Sequence, residues 1–174
     1  MFWHDGLGNA DDAIFLIDEK GRYSYRDVFR HGDALFANCS RSVVAILCDR
    51  SVATVAAYFG ALRCGIVPLL LDGRGKASAL SKTIAAYEPR YVFGEADAAP
   101  DGYRAINRLG AKALFERLAV AHHRLHDDLA LLIPTSGSTG DPKCVRLTAH
   151  NIECCSLAVV SYLAMTQHRV TVSL

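Results

Sequence analysis

The residues best suited to chemistry lie together at positions 135–143, which read Thr-Ser-Gly-Ser-Thr-Gly-Asp-Pro-Lys. Thr135, Ser136, Ser138 and Thr139 supply hydroxyl donors, Gly137 and Gly140 let the backbone approach a bulky anion, and Lys143 adds a positive charge. A polyphosphate is the group such a loop fits. Two familiar patterns fail here. A Walker A loop needs an earlier glycine where this chain has Thr135, and a lysine directly after Gly140 where it has Asp141. A serine nucleophile elbow needs a glycine on either side of the serine at a spacing of two, and neither Ser136 nor Ser138 has both. Hydroxyls and glycines are also what solvated linkers are made of, so composition alone leaves the phosphate grip and the linker equally open. Against the linker, the segment follows an apolar run without a polar lead-in, precedes an apolar helix and ends in Pro-Lys.

Such a loop can hold an anion only if rigid elements fix its ends, and the apolar patterning provides candidates. Continuous apolar runs at 43–48 (VVAILC), 66–72 (IVPLLLD) and 129–134 (LALLIP) predict strands covered on both faces. Between the first two, Ser51 caps a predicted helix over VATVAAYFGALRC that stops at Gly65. Strand, helix and strand with short joints make a parallel crossover unit. Upstream, residues 13–17 and 22–25 flank the turn DEKG and predict a hairpin, after which Ser24 caps a helix from Tyr25 to Cys39 with Val28, Leu35 and Phe36 inward. Downstream, the pattern predicts a helix at 77–87 ended by Pro89, a strand at 91–94, a weaker strand at 103–106 and a helix at 110–120. A last helix capped by Thr148 runs to Met165, with the stretch from Ile152 buried in a layer, and RVTVSL closes the chain as a strand. The fold class is α/β: a layered, mainly parallel sheet with flanking helices. In such sheets ligands gather beyond the carboxyl ends of the strands, which is where residues 135–143 fall.

The 174 residues suffice for one domain or a piece of a larger one. With 19 Lys+Arg against 18 Asp+Glu the formal charge is +1, and no basic block is present, which argues against nucleic acid as a partner. The amino terminus has neither the basic start nor the apolar stretch of a secretory signal, and no apolar run approaches the ~18 residues of a membrane span. A soluble, cytoplasmic protein is the expectation. The six cysteines, at 39, 48, 64, 144, 154 and 155, include no Cys-x-x-Cys pair and predict reduced, mostly buried thiols. A mean hydropathy of +0.16 is apolar for a free-standing domain and fits apolar faces that other structure covers.

Other candidates have plainer readings. His122 and His126 share a helical spacing suited to a metal, but only Asp127 and Asp128 stand nearby to complete the set, so a solvated connector is preferred and no metal ligand is assigned. Gly73, Arg74, Gly75 and Lys76 form a turn that could touch an anion, and a surface turn accounts for them as well.

The stretch 135–143 resembles the phosphate-binding signature of the adenylate-forming superfamily: acyl- and aryl-CoA synthetases, nonribosomal peptide synthetase adenylation domains and luciferases. YSYRDV at 23–28 and LRCGIVPLLLD at 62–72 are similar to earlier motifs of that family, in the same order. The resemblance implies that the chain is the incomplete amino-terminal portion, residues 1–174, of the family's large ATP- and carboxylate-binding domain, without the carboxyl-terminal domain. It implies ATP-dependent activation of a carboxylic acid as an acyl-AMP with release of pyrophosphate, followed by thioester formation. ATP with Mg2+ would be required, and coenzyme A or a carrier-protein phosphopantetheine would be the acceptor. Thr135, Ser136, Gly137, Ser138, Thr139, Gly140 and Lys143 would hold the β- and γ-phosphates, and the catalytic residues are expected downstream of Leu174. Two positions depart from the pattern: Cys144 stands where most members have Gly, and Ala149 where many have His, while Thr148 and Asn151 match. No paired base accompanies Cys144, which argues against a nucleophilic role. The alternative is a truncated or degenerate module that binds nucleotide or another subunit without catalysis.

Overall fold

The computed structural model describes residue 3 and residues 11–119, 124–135 and 142–165. Ser136 to Asp141, His122, His123 and the closing RVTVSL lie outside the described residues, so the expectations placed on them keep that standing. The first two strands, β1 (Ile14–Asp18) and β2 (Gly21–Ser24), form the expected antiparallel hairpin. Phe15 on β1 stacks on Tyr25 at 4.2 Å between ring centres and meets Phe59 edge-on at 5.5 Å, which fastens the hairpin to the helices behind it.

Helix α1 (Tyr25–Phe36) starts where Ser24 predicts, in a reciprocal capping box with Asp27, and buries Val28, Gly32, Leu35 and Phe36. It ends short of Cys39. Strand β3 (Val43–Cys48), helix α2 (Val52–Arg63) and strand β4 (Val67–Asp72) make the predicted crossover, with β3 and β4 parallel and in continuous register. Gly65 closes α2 at φ +70°, a conformation that favours glycine. Helix α3 (Ala77–Tyr87) and strand β5 (Tyr91–Glu95) follow as predicted.

The helix expected at 110–120 is not found among the described residues 110–119. Strands β6 (Tyr103–Leu109) and β7 (Lys112–Arg117) make an antiparallel hairpin across Gly110 and Ala111, with Gly110 at φ +62°. Ala, Leu, Lys, Glu and Arg favour a helix locally, but pairing β7 against β5 buries Ala113, Leu114 and Phe115, and that burial outweighs the local preference. The loop at 135–143 likewise leads into a strand, not directly into a helix: β8 (Leu129–Pro134) pairs antiparallel with β9 (Cys144–Thr148), and helix α4 (Ala149–Tyr162) starts only then, capped by Thr148.

The seven-stranded sheet has the order β6-β7-β5-β3-β4-β8-β9. Its centre, β5-β3-β4-β8, is parallel, and antiparallel strands extend both margins. Alternate residues sort into two cores. Val44, Ile46, Tyr91 and Phe93 meet Leu35 and Phe36 of α1 and Ala57 and Ala61 of α2, whereas Val43, Ala45, Leu69, Val92 and Leu132 meet Leu80, Ile84 and Tyr87 of α3. Helix α4, like α3, has no fully buried residue, against the expectation for the run from Ile152. The cysteines are also less covered than expected: four are half-buried and Cys154 and Cys155 are exposed.

Candidate functional site

The parallel strands all end toward one margin of the sheet, and the chemistry-bearing segment leaves from there. The register pair Leu69 and Leu132 sets β8 beside β4, so the turn after Asp72 and the loop after Pro134 emerge side by side. Parallel pairing needs no extra device here, because β8 is an apolar run whose Leu131 and Leu132 are buried by their neighbours.

The hairpin of β8 and β9 closes the loop at its base. Pro134 and Cys144 are paired, and one residue further out the Thr135 N–H donates to the Lys143 carbonyl at 2.9 Å. The Thr135 hydroxyl donates to the same carbonyl at 3.3 Å. The structure thus brings the first and last residues of the predicted phosphate grip together, both of them exposed. The Lys143 side chain is exposed at the base of the loop, where a positive charge fits an anion. Of the other predicted site residues, Ser136, Gly137, Ser138, Thr139 and Gly140 lie outside the described residues. From the end of α3, the Tyr87 hydroxyl donates to the Pro142 carbonyl at 3.1 Å.

A second polar cluster, which the residue types did not reveal, lies at the ends of β3 and β5. Lys112 is 5% exposed, and its ammonium sits 2.9 Å from Asp49 and 2.7 Å from Glu95. Asp49 also accepts from the Ser51 N–H at 2.9 Å, the Ser51 hydroxyl at 2.6 Å and the Thr54 hydroxyl at 2.6 Å. Partial burial works against ionisation of Asp49, but the hydrogen bonds from Ser51, Thr54 and Lys112 outweigh it and hold the carboxyl well below the usual carboxylate range. Lys112 shows the same balance with the opposite sign of charge: burial alone would lower it, and Glu95 and Asp49 together raise it. Its charge is already met by two carboxylates. The cluster therefore ties β3, β5, β7 and the start of α2 together and offers no cation to a ligand.

At the opposite margin, Arg41 donates to four carbonyls, those of Gly65 at 2.7 Å, His126 at 3.0 Å, Asp127 at 2.8 Å and Leu129 at 3.0 Å. It anchors the approach to β8, and a cavity of about 410 Å³ opens beside it, lined by Trp3, Ile66, Asp128 and His150. Among the described residues no three His, Cys, Asp or Glu side chains converge on a metal position, and no helix is long and apolar enough to cross a membrane.

Comparison with known proteins bears on the family and the fold. The sequence pattern of the family described as AMP-binding enzyme matches residues 3–173. The pyochelin synthetase PchF of Pseudomonas aeruginosa (strain UCBPP-PA14) is 35% identical over 147 residues, covering 79% of this chain and 8% of that protein. The PKS-NRPS hybrid synthetase psoA of Aspergillus fumigatus is 29% identical over 165 residues, 86% of this chain and 4% of that protein. The chain thus spans less than a tenth of the length of these curated relatives. Among solved structures, the O-succinylbenzoate coenzyme A synthetase MenE of Bacillus subtilis in complex with AMP superposes with a TM-score of 0.71 at 18% identity, over 96% of this chain and 47% of that one. That likeness establishes the fold: the α/β sheet described above is the one found at the amino-terminal side of such enzymes.

Proposed function

The chain belongs to the AMP-binding enzyme family, and from that premise we propose that it forms the amino-terminal part of the large domain of an enzyme that joins a carboxylic acid to AMP. In this reading the carboxylate attacks the α-phosphorus of ATP, the bond to the bridging oxygen of pyrophosphate breaks, and acyl-AMP and pyrophosphate result. A thiol then takes the acyl group and AMP leaves. That both curated relatives are named synthetases, one a PKS-NRPS hybrid, favours a carrier-bound phosphopantetheine over free coenzyme A as the thiol.

The observation that carries the reading is the closed base of the loop, where Thr135 and Lys143 are held together beyond the end of a parallel strand. Ser136, Ser138 and Thr139 would donate hydrogen bonds to the departing pyrophosphate, Thr135 would brace the base of the loop through its bond to the Lys143 carbonyl, Gly137 and Gly140 would admit the anion to the backbone, and Lys143 would offset its charge. Donors placed before the reaction cost no reorganisation when charge develops, which makes such a loop a catalytic device as well as a binding one. Magnesium would arrive on the ATP phosphates and supply further positive charge there. Residues for the adenine, the ribose and the late catalytic lysine of the family would come from elsewhere in the protein.

Carboxylate-dependent exchange of pyrophosphate into ATP, measured on the whole natural gene product with a broad panel of acids, tests the reading. Exchange with at least one acid is expected, and Lys143→Ala should lower it on the order of a hundredfold. Absence of exchange with every acid would favour the non-catalytic module, and an unchanged rate in Lys143→Ala would remove the role given to the loop.

A further inference from the structure

Two consecutive carbonyls at the exit of the loop are held from different elements. The Pro142 carbonyl accepts from Tyr87 at 3.1 Å, and the Lys143 carbonyl accepts from the Thr135 N–H at 2.9 Å. Each carbonyl fixes the plane of its peptide unit, because the unit is flat. The two units concerned are those on either side of the Lys143 Cα. Holding both planes sets φ and ψ of Lys143, and with them the direction in which its side chain leaves the backbone. Thr135 alone holds only the second plane.

Tyr87 is well placed to hold the first. Its half-buried ring packs with Leu80 and Ile84 of α3 against the buried layer that holds Val43, Leu69 and Leu132, so the hydroxyl is delivered by a helix packed on the core. Cys144, which stands where most members of the resembled family have glycine, packs into the same layer. Burial, reinforced by the neighbouring Cys144 thiol, pushes the Tyr87 phenol up to about 12, so the donor keeps its proton throughout the physiological range.

We propose that Tyr87 is a positioning residue for the phosphate loop: its hydrogen bond to the Pro142 carbonyl fixes the backbone at Lys143 and so aims the lysine at the pyrophosphate. The proposal rests on the adenylation reading above and extends it to a residue that lies fifty-five positions from Pro142 in sequence. Tyr87 acts through Lys143 and does not touch the phosphates itself.

The test uses pyrophosphate exchange by the whole gene product carrying Tyr87→Phe, which keeps the ring and removes the donor. Tyr103→Phe is the control, since the Tyr103 hydroxyl makes a comparable bond to the Pro89 carbonyl at 2.7 Å in the same layer, away from the loop. At saturating ATP, Tyr87→Phe should lower kcat about three- to tenfold, the range a single hydrogen bond spans, with the carboxylate KM and the melting temperature unchanged. The loss should be the same at about pH 7 and about pH 9, because the phenol does not titrate between them. Tyr103→Phe should leave kcat unchanged. Added to Lys143→Ala, Tyr87→Phe should lower kcat no further, since the lysine it aims is gone. Equal kcat in Tyr87→Phe and the parent would overturn the positioning role while leaving the adenylation reading intact. The same loss in both Lys143 backgrounds would overturn it too. No exchange by the parent with any acid overturns the adenylation reading, and the proposal with it.

Discussion

Helices α2 and α4 are both rich in small and apolar residues, yet they end in opposite surroundings. Helix α2 buries Thr54, Ala56, Ala57, Gly60, Ala61 and Leu62, while α4 buries nothing and leaves Leu157, Val159 and Val160 between 46% and 64% exposed. The difference lies in their neighbours. Helix α2 crosses α1 at backbone distance and covers β3 and β4 at the centre of the sheet, whereas among the described elements α4 packs mainly on β8 and the marginal β9. Ile133 and Val145, paired across those two strands, are exposed as well. An apolar helix therefore announces that it needs cover and not what the cover is. The sealed half builds the scaffold, and the open half carries the loop.

The contrast breaks most readily where α1 and α2 meet. A Cβ at Gly60 would lie 2.4 Å from the Gly32 carbonyl carbon and 2.5 Å from the Gly32 Cα, and backbone cannot step aside as a side-chain tip can. Gly60→Val should therefore destabilise by about 3 kcal/mol or more, at the upper end of overpacking effects. The urea midpoint monitors it, and a shift no larger than that of an exposed α4 variant would mean that the two helices can separate at little cost.

Lys112 gives the next largest effect. Lys112→Met keeps the buried stem but removes the charge between Asp49 and Glu95, leaving two carboxylates near one another. Removing one partner of a buried pair costs several kcal/mol, but Asp49 and Glu95 retain 32% and 54% side-chain exposure and water relieves part of this. A loss of about 2 kcal/mol in urea unfolding is expected, and a neutral result would show that solvent already satisfies both carboxylates.

How far these features could be read in the sequence depends on range. Capping by Ser24, Ser51 and Thr148, the apolar runs of β3, β4 and β8, and the stop at Gly65 all act within a few residues, and each was legible. Strand β7 was not, because helix-favouring residues were drawn into a sheet by a partner strand, although Gly110 already marked the hairpin turn. Strand β9 is short and was masked by the Pro-Lys before it, while its alternation, Cys-Val-Arg-Leu-Thr, was the available signal. In the site the same rule holds. The types and spacing of residues 135–143 pointed to an anion, and of these residues the structure describes Thr135, Pro142 and Lys143, with Thr135 and Lys143 joined at the base of a β-hairpin. Tyr87 and Lys112 reach their partners only through the fold, and no local pattern around either announced it.

Acid should separate the two halves more gently. Asp49 titrates in the folded state well below its unfolded value near 3.9, so the unfolded chain takes up a proton first as pH falls. Its contribution is present in full above about pH 5 and is lost as pH falls toward and through the depressed value. The raised Lys112 works the other way, contributing below its unfolded value and fading only as pH rises through the higher folded one. Between these limits the cluster is fully engaged. The urea midpoint of the parent should therefore fall more steeply between about pH 5 and pH 3 than that of Asp49→Asn, and parallel slopes would show that Asp49 is not the group being protonated.

The smallest effect is the one that decides whether α4 is open. Val160, at 46% exposure, and Val44, at 0%, are the same side chain in the two surroundings. Valine to threonine keeps the shape and adds a hydroxyl, so it reports whether a position is dry and little else. Val44 faces Leu35, Phe36 and Ala61, where a hydroxyl would lose its water, and Val44→Thr should cost on the order of 1–3 kcal/mol. On α4 the hydroxyl can stay hydrated, and Val160→Thr should fall within about 0.5 kcal/mol of the parent. If Val160→Thr in this chain costs as much as Val44→Thr, the α4 face is covered in solution, and a second copy of the chain is one cover that can be tested. A dependence of that cost on protein concentration would identify the cover as a second copy, because association contributes to stability by mass action.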